Sequence, residues 1–257
     1  MKKILSFLLS VLLLFTVVGC GKKKDAVVNS DPEAKQLYLD AVAKNAELVD
    51  SHLIMDTKMS MAMEGYGVIE LFSKTEAWLR NSDSAEAEMI AISHSEVFGI
   101  SVDVIAYLKD GQYYLDDGIY KYKASEIEAQ AYIDNTAPAS NYDFGELATN
   151  FQSTKVDGGT EITFDVSKEA LAKLLSGELD DDTIAAAEFE EFSVKVFIDA
   201  NGYLRAMEIT VVLTATENDT TINIEMILKM EIDQLPDSYT FEFPDFSEFS
   251  ESNPALY

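Results

Sequence analysis

The period of apolar residues changes along this chain, from a helical repeat to a strand repeat. Asp31 and Pro32 are typical of an N-cap and a first helical turn, and apolar residues then recur every three or four positions to Val49. From residue 53 the period becomes two, which predicts a strand with one apolar face. The apolar residues of that strand are Leu53, Met55, Met59, Met61 and Met63.

Further strands follow, and several are joined by tight turns. Asp-Gly at 110–111 and 117–118 and Asn-Gly at 201–202 are typical of hairpin turns, and a Gly-rich turn is predicted at 65–67. A short helix is predicted from Ser167 to Gly177, and short helices with loops are predicted over 125–150. The predicted strands lie within 68–80, 87–97, 101–124, 160–167, 192–215 and 221–233. Strands outnumber helices, so we expect an α+β fold with a large antiparallel sheet covered on one face by helices.

The first residues have the pattern of an export signal. Lys2 and Lys3 precede an uncharged apolar run from Ile4 to Val18, which is short for a membrane span of about 20 residues and suits a secretory signal. The run ends in Val-Val-Gly-Cys, and this resembles a bacterial lipobox. The resemblance implies removal of residues 1–19 and attachment to Cys20 of a diacylglyceryl group, whose acyl chains include palmitate. The alternative is a plain signal, or a short membrane helix, that ends beside a spare cysteine.

Cys20 is the only cysteine, so an intrachain disulfide is excluded. Residues 20–30 include three consecutive lysines and are predicted to form a flexible tether, which would contact anionic headgroups or be ordinary linker charge. Two acyl chains anchor a protein stably. We therefore predict attachment to the outer leaflet of the cytoplasmic membrane, on the extracytoplasmic face.

The charge of the chain excludes one class of partner. The formal charge is −27, and it becomes −29 when Lys2 and Lys3 are removed with residues 1–19. Such a charge repels phosphate backbones, so nucleic-acid binding is excluded. Because 47% of the chain is hydrophobic, it is not a disordered acidic tail, and residues 31–257 are predicted to form a single domain.

Taken together, these features resemble a known group of proteins. The lipobox, the N-terminal helix, the methionine strand, "YLKDGQYYLDDGIYKY" and "VFIDANGYLRAMEI" resemble a family of uncharacterised Gram-positive lipoproteins. That family is similar to the LolA/LppX lipoprotein-carrier superfamily. The resemblance implies a strongly curved sheet, an open half-barrel, with helices on its concave face and an apolar cavity for acyl chains. No ligand-binding residue of that superfamily matches a position here.

Met55, Met59, Met61 and Met63 alternate along one strand, and Met226 and Met230 alternate along another. We call these six residues the methionine stripe, and they form the candidate binding surface. Methionine is unbranched and polarisable, so a Met-lined face suits variable apolar ligands. The alternative is that these residues pack as ordinary core beneath the helices. The candidate cavity-lining residues are Leu53, Met55, Met59, Met61, Met63, Ile90, Ile92, Met226 and Met230.

Other residues give weaker signals. His52 and His94 lie far apart in sequence without a cysteine nearby, and they are interpreted as surface or strand-end residues. The acidic runs at 180–182 and 188–191 lack the spacing of a calcium loop. No metal, cofactor or catalytic residue is predicted, because the sequence has no nucleophile or nucleotide-binding signature. In the aromatic, acidic C-terminal tail, Phe241 and Phe243 are predicted to finish a strand, and Phe246 and Phe249 to fold back on the domain or to bind a partner.

The sequence therefore predicts a non-enzymatic, membrane-anchored lipoprotein that binds an apolar ligand, a lipid or an acyl chain, in a half-barrel. The alternative is an envelope protein-interaction or structural module with a fully packed core. An internal apolar cavity of several hundred Å³ would distinguish them.

Overall fold

The computed structural model describes residues 30–63, 65, 67–125, 144–145, 147–167, 187–217 and 220–251. They form one helix, eleven strands and a short 3-10 helix, Phe246–Glu248. The elements are α1 (Pro32–Asn45), β1 (Ser51–Met63), β2 (Gly67–Arg80), β3 (Glu88–Val97), β4 (Ile100–Lys109), β5 (Gln112–Asp116), β6 (Lys121–Ala124), β7 (Ala148–Val156), β8 (Gly159–Val166), β9 (Ala187–Asp199), β10 (Leu204–Glu217) and β11 (Thr220–Gln234).

All eleven strands belong to one antiparallel sheet, in the order β6-β5-β4-β3-β2-β1-β11-β10-β9-β8-β7. Each half is a meander, and β1 pairs with β11 to join the halves at the centre. In the part of the chain that the structure describes, β6 and β7 lie at the two edges of the sheet, which forms an open half-barrel. The large antiparallel sheet predicted from the sequence is confirmed.

The sheet has an inner face, on which α1 packs, and an outer face. In β1 the buried residues alternate with partly exposed ones, as the period-two pattern predicts. The predicted turns at 65–67, 110–111, 117–118 and 201–202 all connect successive strands. Asp110 and Gly111 both have positive φ, which is why residues that tolerate the left-handed region occupy this turn.

Two polar residues, the N-cap Asp31 and the last helical residue Asn45, connect helix α1 to the sheet. The Asp31 side chain accepts hydrogen bonds from the backbone N–H groups of Glu33 and Ala34 and from the Ser153 hydroxyl. These bonds, that from Ser153 first, hold the pKa of Asp31 below its usual value. At the other end, the buried Asn45 side chain donates to the Leu204 carbonyl at 2.8 Å and accepts from its N–H at 2.9 Å.

Only part of the predicted helical cover lies within the described residues. Helix α1 is confirmed, although it ends at Asn45, and Val49 is 37% exposed. The predicted helix 167–177 and most of 125–150 lie outside the described residues. Residues 148–150, predicted as part of a helix-and-loop segment, instead begin strand β7. The part of the chain that the structure describes contains no helix that could span a bilayer.

The C-terminal tail lies across the outer face. Phe241, Phe243, Phe246 and Phe249 pack with Trp78, Ile90, Ile105, Tyr107 and Tyr114 in an aromatic cluster separate from the inner core. Phe246 stacks on Tyr114 with ring centroids 3.9 Å apart, and Ser250 forms a parallel bridge to Tyr122 on edge strand β6. The fold-back of Phe246 and Phe249 is confirmed. The strand predicted at Phe241 and Phe243 is wrong, because these residues belong to no strand.

Candidate functional site

The methionines are segregated on one face of the sheet. All eight methionines of the described residues lie on the inner face, at positions set by the strand registers. Met55 pairs with Met230, which pairs with Met207, so three thioethers cross three adjacent strands in one row. Met59 pairs with Met226 in a second row. Met207 and Met89 were not predicted as part of this surface, and only the pairing of their strands places them there.

These side chains form part of a continuous apolar surface. Met61, Met89 and Met230 are each 1% exposed, and only Met63, at the end of β1, is partly buried. The same buried cluster includes Leu53 and Ile232, which pair across β1 and β11. The inner face therefore combines aliphatic residues with the flexible thioethers that best adapt to irregular apolar shapes.

Two of the predicted cavity-lining residues lie on the wrong face. Ile90 pairs with Trp78, which pairs with His52, and this row belongs to the outer face. Ile90 packs with Tyr107 and Phe249 under the C-terminal tail, and Ile92 is 41% exposed. The prediction that these isoleucines share the methionine surface is wrong. Their neighbours Met89 and Ala91 occupy the inner face instead.

A patch of hydroxyl groups interrupts the apolar inner face on β1, β2 and β3. Ser73 and Ser95 pair across the strands with their hydroxyl oxygens 3.1 Å apart, and Thr75 and Ser93 pair at 3.0 Å. Thr57 lies in the same row as Ser73 and is 6% exposed. We call these five residues the hydroxyl patch. Each hydroxyl carries one proton, and the hydrogen bond within a pair uses one of the two protons. The other hydroxyl proton of each pair can therefore be donated to another acceptor.

Helix α1 covers the opposite half of the inner face. Its Tyr38 ring packs against Phe164, with centroids 4.8 Å apart, and against Phe151 on β7. Tyr38 is fully buried, and its hydroxyl accepts a hydrogen bond from the Phe144 N–H. The helix thus packs on the β7–β10 side, whereas most of the methionines and the hydroxyl patch lie on β11 and β1–β3.

The two histidines and the described acidic residues do not come together at one site. His52 contacts Glu76 at 2.9 Å and stacks on Trp78, and His94 contacts Asp103, both on the outer face. Glu188, Glu190 and Glu191 are exposed on β9, and residues 180–182 lie outside the described residues. Among the described residues, no group of three or more histidine, cysteine or carboxylate side chains could hold a metal ion.

The outer face carries an open groove of about 910 Å³ near the β1–β2 and β3–β4 turns. Phe72 and Ile227 supply apolar surface, while Glu70, Glu96 and Lys58 supply charge. This mixed surface differs from the inner face.

Comparisons with known proteins give only structural likenesses of low score. No family model and no curated protein matches this chain. Similar solved structures include LprF from Mycobacterium bovis, with 12% identity over 77% of this chain and 92% of that one and a TM-score of 0.43. A putative outer membrane lipoprotein-sorting protein domain from Vibrio parahaemolyticus is 9% identical over 84% and 96%, with a TM-score of 0.27. A LolA superfamily protein from Nitrosomonas europaea is 8% identical over 79% and 95%, with a TM-score of 0.23. Scores this low leave the ligand and the function to the geometry of this chain.

Proposed function

We propose that this protein is an extracytoplasmic lipoprotein that is anchored through Cys20 and binds an apolar ligand, a lipid or acyl chain, on the inner face of its half-barrel. The observation that carries the proposal is the confinement of every methionine beyond Met1 to that face. A core that only needed filling would be packed more rigidly by branched side chains, whereas thioethers adjust to ligands of variable shape. Apolar contact with the inner face would contribute roughly 25 cal/mol per Å² buried.

The hydroxyl patch supports a ligand that joins an apolar chain to a small polar group. The protons that the Ser73–Ser95 and Thr75–Ser93 pairs do not use suit an ester or amide carbonyl, which accepts hydrogen bonds. Without such a group, a buried hydroxyl would be a less favourable neighbour for an acyl chain than an alanine or a valine. A diacylglycerol-type or lipoprotein-type acyl ligand has both parts.

Native mass spectrometry tests the ligand. The chain from residue 20, with Cys20→Ser to prevent acylation, would be purified without detergent and then incubated with phosphatidylglycerol or with a long-chain alkane. We expect a lipid adduct that organic solvent releases. A chain that remains free of adducts would refute the proposal and favour the alternative, a protein-interaction module with a packed core.

A matched pair of variants tests the polar part of the site. Thr75→Val with Ser93→Ala removes one hydroxyl pair from the inner face, and we expect retention of the ester-bearing lipid to fall about tenfold while retention of the alkane is unchanged. Thr163→Val with Ser193→Ala makes the same atomic changes on the outer face and should alter neither. Equal losses in both double variants would contradict the role of the patch.

The anchor has a separate test. We expect Cys20→Ala to abolish incorporation of radiolabelled palmitate and to release the protein from membranes. A Cys20→Ala protein that is still acylated would contradict the anchor without bearing on the ligand.

A further inference from the structure

The two ends of the half-barrel differ in chemistry. Because consecutive strands are antiparallel, the β1–β2, β3–β4 and β5–β6 connections meet at one end of the sheet. We call this the apolar end. The residues there that expose large apolar side chains are Val68, Phe98, Ile100, Val102, Ile119 and Tyr120, with exposed fractions of 63%, 68%, 67%, 48%, 80% and 40%. The connections at the opposite end, 81–87, 110–111, 157–158 and 200–203, are composed largely of Asp, Asn, Ser, Ala and Gly.

The turn at Phe98 has a backbone conformation that phenylalanine rarely adopts. Phe98 and Gly99 have φ values of 53° and 72°, which match the 52° and 72° of Asp110 and Gly111 in the turn at the opposite end of β4. The other described non-glycine residues with positive φ are two asparagines and Asp110, residue types that tolerate this region. A bulky phenylalanine is disfavoured here by the backbone. Since Phe98 is 68% exposed, packing against the rest of the domain does not account for it either.

Two of the exposed apolar residues, Ile100 and Val102, continue the inner face, whereas Val68 and Phe98 line the groove on the outer face. Ile100 and Val102 pair with Val97 and Ser95, whose side chains lie in the same rows as Leu71 and Ser73. Apolar exposure therefore increases from the buried methionines towards the turn that carries Phe98.

The start of the described chain is compatible with a membrane beside this end. The Ser30 hydroxyl accepts a hydrogen bond from the Phe151 N–H, in the half of β7 nearer the apolar end. Residues 21–30 lie between the predicted lipid anchor and this point, and ten extended residues span at most about 35 Å. A lipid on Cys20 and the turns of the apolar end can thus reach the same bilayer.

We propose that the apolar end docks on a phospholipid bilayer, with the rings and branched side chains of three turns seated in the interface. This second membrane contact is independent of the acyl anchor and goes beyond the proposed ligand binding. Glu70 and Glu96 are exposed nearby, and the chain has a formal charge of −27. Zwitterionic vesicles should therefore bind more strongly than anionic ones at low salt.

Vesicle binding by the unacylated chain tests the docking surface. With phosphatidylcholine vesicles, Phe98→Asn together with Ile119→Asn should weaken binding by the Cys20→Ser chain about tenfold or more, because two apolar side chains no longer leave water. Val49→Asn with Val156→Asn removes two apolar side chains at the opposite end and should change binding less than twofold. Asn suits the backbone at position 98, so the melting temperature should be retained. A parent chain that does not bind, or equal losses in both variants, would overturn the proposal.

Fluorescence quenching measures the orientation of the acylated protein. Trp78 is the only tryptophan, so a Trp78→Phe background allows one new tryptophan at each end. In vesicles of brominated phosphatidylcholine, Phe98→Trp should be quenched strongly and Val156→Trp weakly. Equal quenching would overturn the proposal. Neither readout requires a bound ligand, so a failure of the proposed ligand binding would leave both results interpretable.

Discussion

Replacing Asn45 by leucine removes the polar connection between helix α1 and the start of strand β10. Asn45 and Leu204 are both 0% exposed, and two hydrogen bonds of 2.8 and 2.9 Å join the side-chain amide of Asn45 to the backbone of Leu204. Leucine has nearly the same size but neither donates nor accepts. The substitution therefore tests hydrogen bonding with little change in volume.

The expected loss follows from what the substitution leaves behind. The N–H and C=O of Leu204 would remain buried without the amide, and an unsatisfied buried polar group costs about 1–3 kcal/mol. Two such groups, with a partial gain from the added apolar surface, give an expected loss of about 2–4 kcal/mol in the free energy of unfolding. That is a large part of the roughly 5–15 kcal/mol that stabilises a typical domain.

Urea denaturation measures this loss, with the midpoint as the readout and an unchanged slope as the sign of two-state unfolding. Gln36→Leu is the matched control, because Gln36 is exposed on α1 and its amide donates to Asp40 on the same helix. The control should change stability by less than about 0.5 kcal/mol. A loss below about 1 kcal/mol for Asn45→Leu would refute the view that this amide couples the helix to the sheet.

Three other variants test separate parts of the structure. The lowered pKa of Asp31, caused first by the Ser153 hydroxyl, gives stability that is present above the unfolded pKa of about 3.9 and is lost as pH falls through the folded pKa. The difference in melting temperature between the native chain and Asp31→Asn should therefore shrink as the pH falls below about 4. Phe249→Ala should lower the free energy of unfolding by about 3 kcal/mol, as measured by chemical denaturation. Because burial raises the pKa of Tyr107, which packs against Phe249, the same variant should lower that pKa in a spectrophotometric titration. Phe98→Asn should leave stability unchanged or raise it by about 1 kcal/mol, since it relieves a disfavoured conformation. A destabilised Phe98→Asn protein would mean that the ring packs in the folded domain.

The methionine stripe could be predicted because a strand places every second residue on one face. Met55, Met59 and Met61 needed only that rule, and so did Met226 and Met230. The turn at Asp110 and the start of α1 can likewise be predicted from neighbouring residues, since short polar side chains and proline have their own backbone preferences.

The residues next to Ile90 in sequence do not show which face of the sheet it occupies. In the run Met89, Ile90, Ala91 and Ile92, both alternating sets are apolar, so the period of two does not say which set faces inward. The pairing of β3 with β2 decides it, and the aromatic tail then makes a buried position on the outer face. The sequence also placed Phe241 and Phe243 in a strand, because an alternating pattern looks the same on a packed tail.

Sequence patterns alone predict the elements with one strong period, the tight turns, the acidic charge and the resemblance to exported lipoproteins. The pairing of the strands is needed to show which rows meet: Met207 beside Met230, the hydroxyl patch across three strands, and the three connections at the apolar end. Periodicity and turn preference act within a few residues of the chain. Register and strand order instead depend on hydrogen bonds and packing between segments far apart in the chain.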